Sequence, residues 1–220
     1  VLAQSYIHPD QVFPETRFIQ TLQGLEARVA GTNQLRDWPL SGNRIPQVSS
    51  AGGQVLESHK RFMERVTDDP LLLRRTGSAS LLLTKEDMQG SFAPVRPMLK
   101  IREVFASGAI LVDDLAMRPV AWTVFDWRTT STFSEDKLSS QDHPLVEGAA
   151  LPAQIPGATG EVEVEKSSRS DRITIKTKLS APGILLIANT WYPGWEATVD
   201  DEAVPLLRAE GLFQAIELGS

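Results

Sequence analysis

The chain has 220 residues, no cysteine and a formal charge of −6. That charge disfavours a nucleic-acid partner, which needs a basic face, and the missing thiols exclude disulfides, thiol catalysis and cysteine-ligated metals. No apolar run approaches the roughly 18–20 residues that cross a bilayer, and no signal peptide is visible at Val1.

Residues 1–13 form a lead-in, because Pro9 and Pro14 keep most of it out of helix. From Glu15 the pattern turns helical: Phe18, Leu22, Leu25 and Val29 recur at spacings of four, three and four. Pro14 suits a first turn, and Gly31 suits a stop. Residues 32–53 are rich in Gly, Asn, Ser and Pro and predict loop, with Trp38 and Ile45 as apolar anchors.

A second helix is predicted over residues 54–66, with Val55, Leu56, His59, Phe62, Met63 and Val66 on one face. Asp69-Pro70 ends it and starts a short third helix through Leu71, Leu72 and Leu73. Lys60-Arg61 and Arg74-Arg75 are expected to be solvated helix surface.

Residues 78–84 predict a strand buried on both faces. Residues 98–105 and 109–112 pair as a hairpin across Ser107-Gly108. After a turn at Arg118-Pro119, residues 120–125 predict another strand. Residues 129–160 hold Ser, Thr, three prolines and three glycines. They predict a linker, or a crossover between sheets, because long structureless loops are uncommon within a domain. Beyond Gly160 the pattern is strictly β. Glu161-Val-Glu-Val-Glu alternates, and Ile173, Ile175, Thr177 and Leu179 alternate with charged or polar neighbours, as in a half-exposed antiparallel strand.

The final stretch carries the strongest signal. Residues 184–188 are apolar on both faces, so they predict a buried strand. Pro193-Gly194 stops it. A further strand follows, with Trp195, Ala197 and Val199 on one face, then a turn at Asp200-Asp201, a strand from Ala203 to Leu207, and another from Leu212 to Ile216. A buried aromatic contributes roughly 1.5–3 kcal/mol, so Trp191, Tyr192 and Trp195 can anchor a small domain. The expected fold class is α+β: a small mixed α/β part over 1–128, a linker or crossover over 129–160, and an antiparallel β-sandwich over 161–220.

No catalytic set assembles in the sequence. His8, His59 and His143 lie apart, with no H-E-x-x-H context and no G-x-S-x-G elbow. Gly52-Gly53 lacks the rest of a phosphate loop. Asp68-Asp69, Asp113-Asp114 and Asp200-Asp201 are read as turn formers, since adjacent carboxylates cannot face each other across a glycosidic bond. No catalytic residue, metal or cofactor is therefore expected. Trp191 and Tyr192 are adjacent in a strand and point to opposite faces. One of them is expected at a surface, which makes this pair the candidate carbohydrate contact. Trp195, Trp122, Pro193 and Gly194 are expected to be structural anchors.

Tyr192-Pro193-Gly194-Trp195, Val199-Asp200 and Leu212-Phe213-Gln214-Ala215 resemble the closing segment of the YfhO family, bacterial polytopic membrane proteins with a GT-C-type glycosyltransferase-like architecture. Asp201 stands where the family has glycine. The resemblance extends to Phe13-Pro14-Glu15-Thr16, Arg28-Val29 and the strand at 78–84. It also includes residues 115–122, where Arg118 and Pro119 stand in swapped order. It implies an extracytoplasmic, non-catalytic domain tethered to the membrane by segments outside the 220 residues. Its implied partners are its own transmembrane region and an envelope glycan or lipid-linked sugar. It also implies a missing last strand beside Leu212–Ile216, which would leave a free edge there. The alternative reading is a secreted carbohydrate-binding or adhesion β-sandwich.

Overall fold

The computed structural model describes residues 20–22, 29–31, 57–77, 80–133, 138–140, 143–148, 153–165 and 172–219. The fold is mixed and strand-rich, with antiparallel sheets, one of them curled as a half-barrel. The chain divides into two compact units: residues 1–55 with 78–115, and residues 56–77 with 116–220. The expected break at 129–160 does not coincide with this division. The predicted helix over residues 15–30 and the loop over 32–53 lie largely outside the described residues.

In the first unit, β1 (Val29–Gly31), β2 (Ser80–Leu83), β3 (Leu99–Val104) and β4 (Ile110–Asp114) form one sheet in the order β1-β2-β4-β3. β1 runs parallel to β2, and the other pairs are antiparallel. All four residues of β2 are buried, so both of its faces are covered, as the run of leucines predicts. The β3–β4 hairpin turns at Ser107-Gly108, where Gly108 adopts φ +87°. Helix α2 (Lys85–Gln89) follows β2 and was not anticipated. Its signal is Thr84-x-x-Asp87: the Asp87 N–H donates to Thr84 Oγ1 (3.1 Å) and the Thr84 N–H donates to Asp87 Oδ2 (2.8 Å).

The second unit is built on a six-stranded sheet. Its strands are β5 (Ala121–Val124), β6 (Arg128–Thr130), β7 (Leu145–Glu147), β10 (Gly183–Thr190), β13 (Leu207–Ala209) and β14 (Phe213–Leu218). They lie in the order β5-β10-β14-β13-β7-β6. Only β6–β7 is parallel. The segment expected as linker or crossover therefore contributes β7 and most of β6, and the adjacent apolar residues Leu145 and Val146 are both buried where β7 pairs with β13. The free edge expected at Leu212–Ile216 is a correction too. β14 is bonded to β10 on one side and β13 on the other.

Side-chain alternation gives this sheet two faces. On one, Ala121, Leu185, Ile187, Ile216 and Leu218 form a core cluster. Two separate hairpins cover it. β8 (Gly160–Val164) with β9 (Ile175–Leu179) contributes Val162, Ile175 and Leu179, and β11 (Ala197–Val199) with β12 (Glu202–Val204) contributes Ala197, Val199 and Val204. On the other face lie Trp122, Leu186 and Ala215. Phe213 is also there, meeting Phe62 of helix α1 (Glu57–Asp68) edge to face at 5.3 Å. The helix ends at Asp68-Asp69, and Pro70 opens a 3-10 helix over Pro70–Arg75, where Leu72 and Leu73 are buried.

Candidate functional site

Two clusters in the second unit hold its chemically active side chains. The first forms around Glu210. Ala209-Glu210-Gly211-Leu212 is a tight turn joining β13 to β14, with the Leu212 N–H donating to the Ala209 carbonyl (3.1 Å). Its central residues adopt φ +55° and +69°, as a type I′ turn requires. Gly211 is obligatory on a second count: a Cβ there would lie 2.2 Å from the Phe133 ring.

This turn aims Glu210 inward, where it is 1 % exposed. Its Oε2 accepts from Arg75 Nη1 (2.7 Å) and its Oε1 from the Leu145 N–H (2.6 Å). The Glu210 N–H donates to the Leu145 carbonyl (2.7 Å). Arg75 also donates to the Ser140 carbonyl (3.4 Å), while the Ser140 N–H donates to Asp69 Oδ2 (2.8 Å). The pair thus ties the 3-10 helix, the 138–140 segment and the β7 edge to one turn. Burial pushes the Glu210 carboxyl above its ordinary value, and the Arg75 charge and the Leu145 N–H act in the opposite sense. A carboxylate so enclosed has no route to a substrate, so the cluster acts as a structural latch.

The expectation for Arg75 is corrected here. It is buried, because the 3-10 helix carries it inward beside Leu72 and Leu73. Sequence reasoning missed Glu210 as well. Its one local signal is the Glu-Gly pair between two β segments, which marks a turn but not its inward direction.

The second cluster is the aromatic segment after β10. The Trp191 N–H donates to the Leu212 carbonyl (2.7 Å), and its indole Nε1 donates to the Leu206 carbonyl (3.4 Å). The Arg208 guanidinium lies 5.3 Å from the Trp191 ring centre, within cation–π range. Arg208 is held in turn by Glu147 through a bidentate pair, Nε to Oε1 at 2.7 Å and Nη2 to Oε2 at 2.9 Å. Tyr192 engages Trp195 instead, edge to face at 6.1 Å. The two candidate carbohydrate contacts therefore have different neighbours. Trp191 is half-buried beneath Arg208, and Tyr192 is 45 % exposed.

The four expected anchors divide similarly. Trp122 is buried on the α1 face of the sheet. Pro193 and Gly194 form an exposed turn, with Gly194 at φ +112°. Trp195 is half-buried, in line with Ala197 and Val199. The indole nitrogens of Trp122 and Trp195 are buried without a hydrogen-bond partner.

The remaining candidates do not converge. His143 is exposed beside Asp126, 3.4 Å away. His8 and the His59 side chain lie outside the described residues. Asp113 and Asp114 end strand β4 rather than sitting in a turn, and Asp113 accepts from Ser80 (2.8 Å) and Arg102 (2.9 Å). Asp200 and Asp201 do form a two-residue turn, both with positive φ. Among the described residues, no group of three or more His, Asp or Glu is placed to hold a metal, and no helix is long and apolar enough to cross a membrane. In comparisons with family models, curated proteins and solved structures, the chain has no match.

Proposed function

We propose that this chain is a non-catalytic, extracytoplasmic domain of a YfhO-like polytopic membrane protein involved in cell-envelope glycosylation, where it guides an acceptor or a partner. The observation that carries the reading is the layout of residues 183–218. A buried strand runs into Tyr192-Pro193-Gly194-Trp195, then a hairpin closes on Asp200-Asp201, then a strand carries Leu212-Phe213-Gln214-Ala215 into the centre of the sheet. This is the order in which the resembling family places those motifs. The two hairpins over the six-stranded sheet serve, on this reading, as the second layer of a β-sandwich.

The reading has a direct test. The chain has no cysteine, so a single Ser107→Cys change on the exposed β3–β4 turn places one thiol in this region. In intact cells expressing the full reading frame, a membrane-impermeant maleimide is expected to label that thiol. Labelling only after lysis overturns the extracytoplasmic assignment. The 220-residue chain alone is expected to transfer no sugar from a polyprenyl-phosphate donor, and turnover by it overturns the non-catalytic assignment.

A further inference from the structure

The exposed apolar residues are unevenly distributed. Met98, Ile101, Val104 and Leu115 are four of the seven large apolar residues exposed among those described, at between 48 % and 77 %. All four belong to the first unit. A single exposed apolar side chain is ordinary, but a group of them marks an interaction surface.

The backbone gathers these side chains. Ile101 pairs with Val112 and Val104 with Ile110, and the ladder shifts between Ile101 and Glu103. Three apart in a regular strand, Ile101 and Val104 would point to opposite faces. The bulge at Arg102 puts them on one face. Met98 and Leu115 adjoin at the end of the hairpin away from Gly108, where the Leu115 N–H donates to the Met98 carbonyl (3.0 Å).

Charge decides what such a surface meets. The whole chain is acidic, at −6, yet over residues 93–115 the exposed charges are all basic: Arg96, Lys100 and Arg102. The acids of the stretch are withdrawn. Asp114 is buried, and Glu103 is half-buried and accepts from Thr21 Oγ1 (3.0 Å). Asp113 is half-buried too and accepts from Ser80 and Arg102. Arg96 and Lys100 make no ion pair with a described residue.

We infer that this surface docks on an anionic lipid bilayer. Met98, Ile101, Val104 and Leu115 enter the boundary between headgroups and acyl chains, and Arg96 and Lys100 are drawn to the lipid phosphates. Lys100 leaves from the opposite face of β3 to Ile101. The two faces of one strand lie well within the Debye length of about 10 Å at 0.1 M salt, so its charge still acts on the surface. A folded protein partner fits less well. Protein interfaces centre on aromatic or Arg anchors seated in pockets, and the one aromatic of residues 93–115, Phe105, is buried. A bilayer needs only apolar area and basic charge. The contact is made by side chains and requires no free strand edge. It concerns the chain by itself and does not rest on the function proposed above.

Co-sedimentation of the 220-residue chain with lipid vesicles at about 0.1 M salt tests the inference. Binding is expected to vesicles of phosphatidylglycerol and phosphatidylcholine in equal parts, and to weaken as salt rises. Binding to phosphatidylcholine alone is expected to be weaker by about tenfold or more. Ile101→Thr with Val104→Thr keeps β-branched residues in the strand but removes apolar area, and is expected to weaken binding about tenfold. Arg96→Gln with Lys100→Gln is expected to do the same. Lys176→Gln with Lys178→Gln removes as much charge from exposed positions on β9, outside this surface, and is expected to change binding by less than about twofold.

A label covers the case in which a variant folds poorly. Val104→Cys gives the chain its one thiol, and a nitrobenzoxadiazole group attached there is expected to shift its emission to the blue when the mixed vesicles are added. Four results overturn the inference: no binding at roughly millimolar lipid, equal binding to both kinds of vesicle, a response to the β9 pair as large as to the Arg96 and Lys100 pair, or an unshifted emission on bound vesicles. A chain that ignores vesicles but sediments as a dimer, which Ile101→Thr with Val104→Thr dissociates, overturns it in favour of a second copy.

Discussion

Glu210 and Arg75 hold each other where water is excluded, and the cost of separating them follows from that. Arg75→Met leaves a buried carboxylate without its counter-charge. Breaking such a pair costs about 3–5 kcal/mol, a large share of the ~5–15 kcal/mol that holds a domain together; urea unfolding measures it directly. The pH dependence has a definite sign. Because the folded carboxyl sits above its ordinary value of 4.5, its contribution is fully present below that value and is lost as pH rises through the folded one. Glu210→Gln cannot titrate, so its stability profile is expected to lack this fall.

Trp195 illustrates how far single residues were legible. Its strand face was readable from the spacing to Ala197 and Val199. Its depth was not, because depth depends on what the hairpin lies against. A fully buried tryptophan would cost about 3–5 kcal/mol on truncation. The half-buried one seen here is expected to cost about 1–2 kcal/mol on Trp195→Ala, including its edge-to-face contact with Tyr192. Tyr192→Ala removes that contact alone and is expected to cost about 0.5–1 kcal/mol, so a loss of glycan binding in that variant with its fold retained would report on contact rather than folding. Arg75 and Glu210 were illegible for a plain reason. Their meeting spans 135 positions of sequence, and nothing local to either records it.

At the scale of elements, periodicity served well where one segment dictates its own form. The helix carrying Phe62, Met63 and Val66, the all-leucine strand, the hairpin at Gly108 and the Asp200-Asp201 turn all follow from short-range pattern. The β8–β9 ladder pairs Glu161 with Lys178 and Glu163 with Lys176 on its exposed side, which fixes its register by charge. Helix α2 is only five residues long, too short for a periodic signal, and its capping box does the work of length. Thr84→Ala removes that cap and is expected to cost about 1 kcal/mol, seen as a lower midpoint in thermal unfolding.

At the scale of the whole molecule, neither unit is a continuous stretch. The 56–77 segment leaves the first unit to join the second, and no composition shift in the sequence marks either crossing. The strand run after Gly160 suggested a self-contained domain, but β10 takes β5 from residues 121–124 as a neighbour, and β13 takes β7. A fragment spanning 161–220 lacks both partners. It is expected to show no cooperative melting by circular dichroism, where the full chain does.

The position of β14 in its sheet bears on how the protein is made. It is the last strand in chain order among those described, yet it lies between β10 and β13 and also supplies Phe213 to helix α1. On the ribosome, α1 and β5 emerge long before β10 and β14, the strands they pack against or pair with. Until then their apolar faces have nothing native to cover them. Domains assembled from such distant pairings fold slowly and expose sticky intermediates. The second unit therefore completes its fold only after β14 has emerged, and the nascent chain is a natural client for a holding chaperone until then.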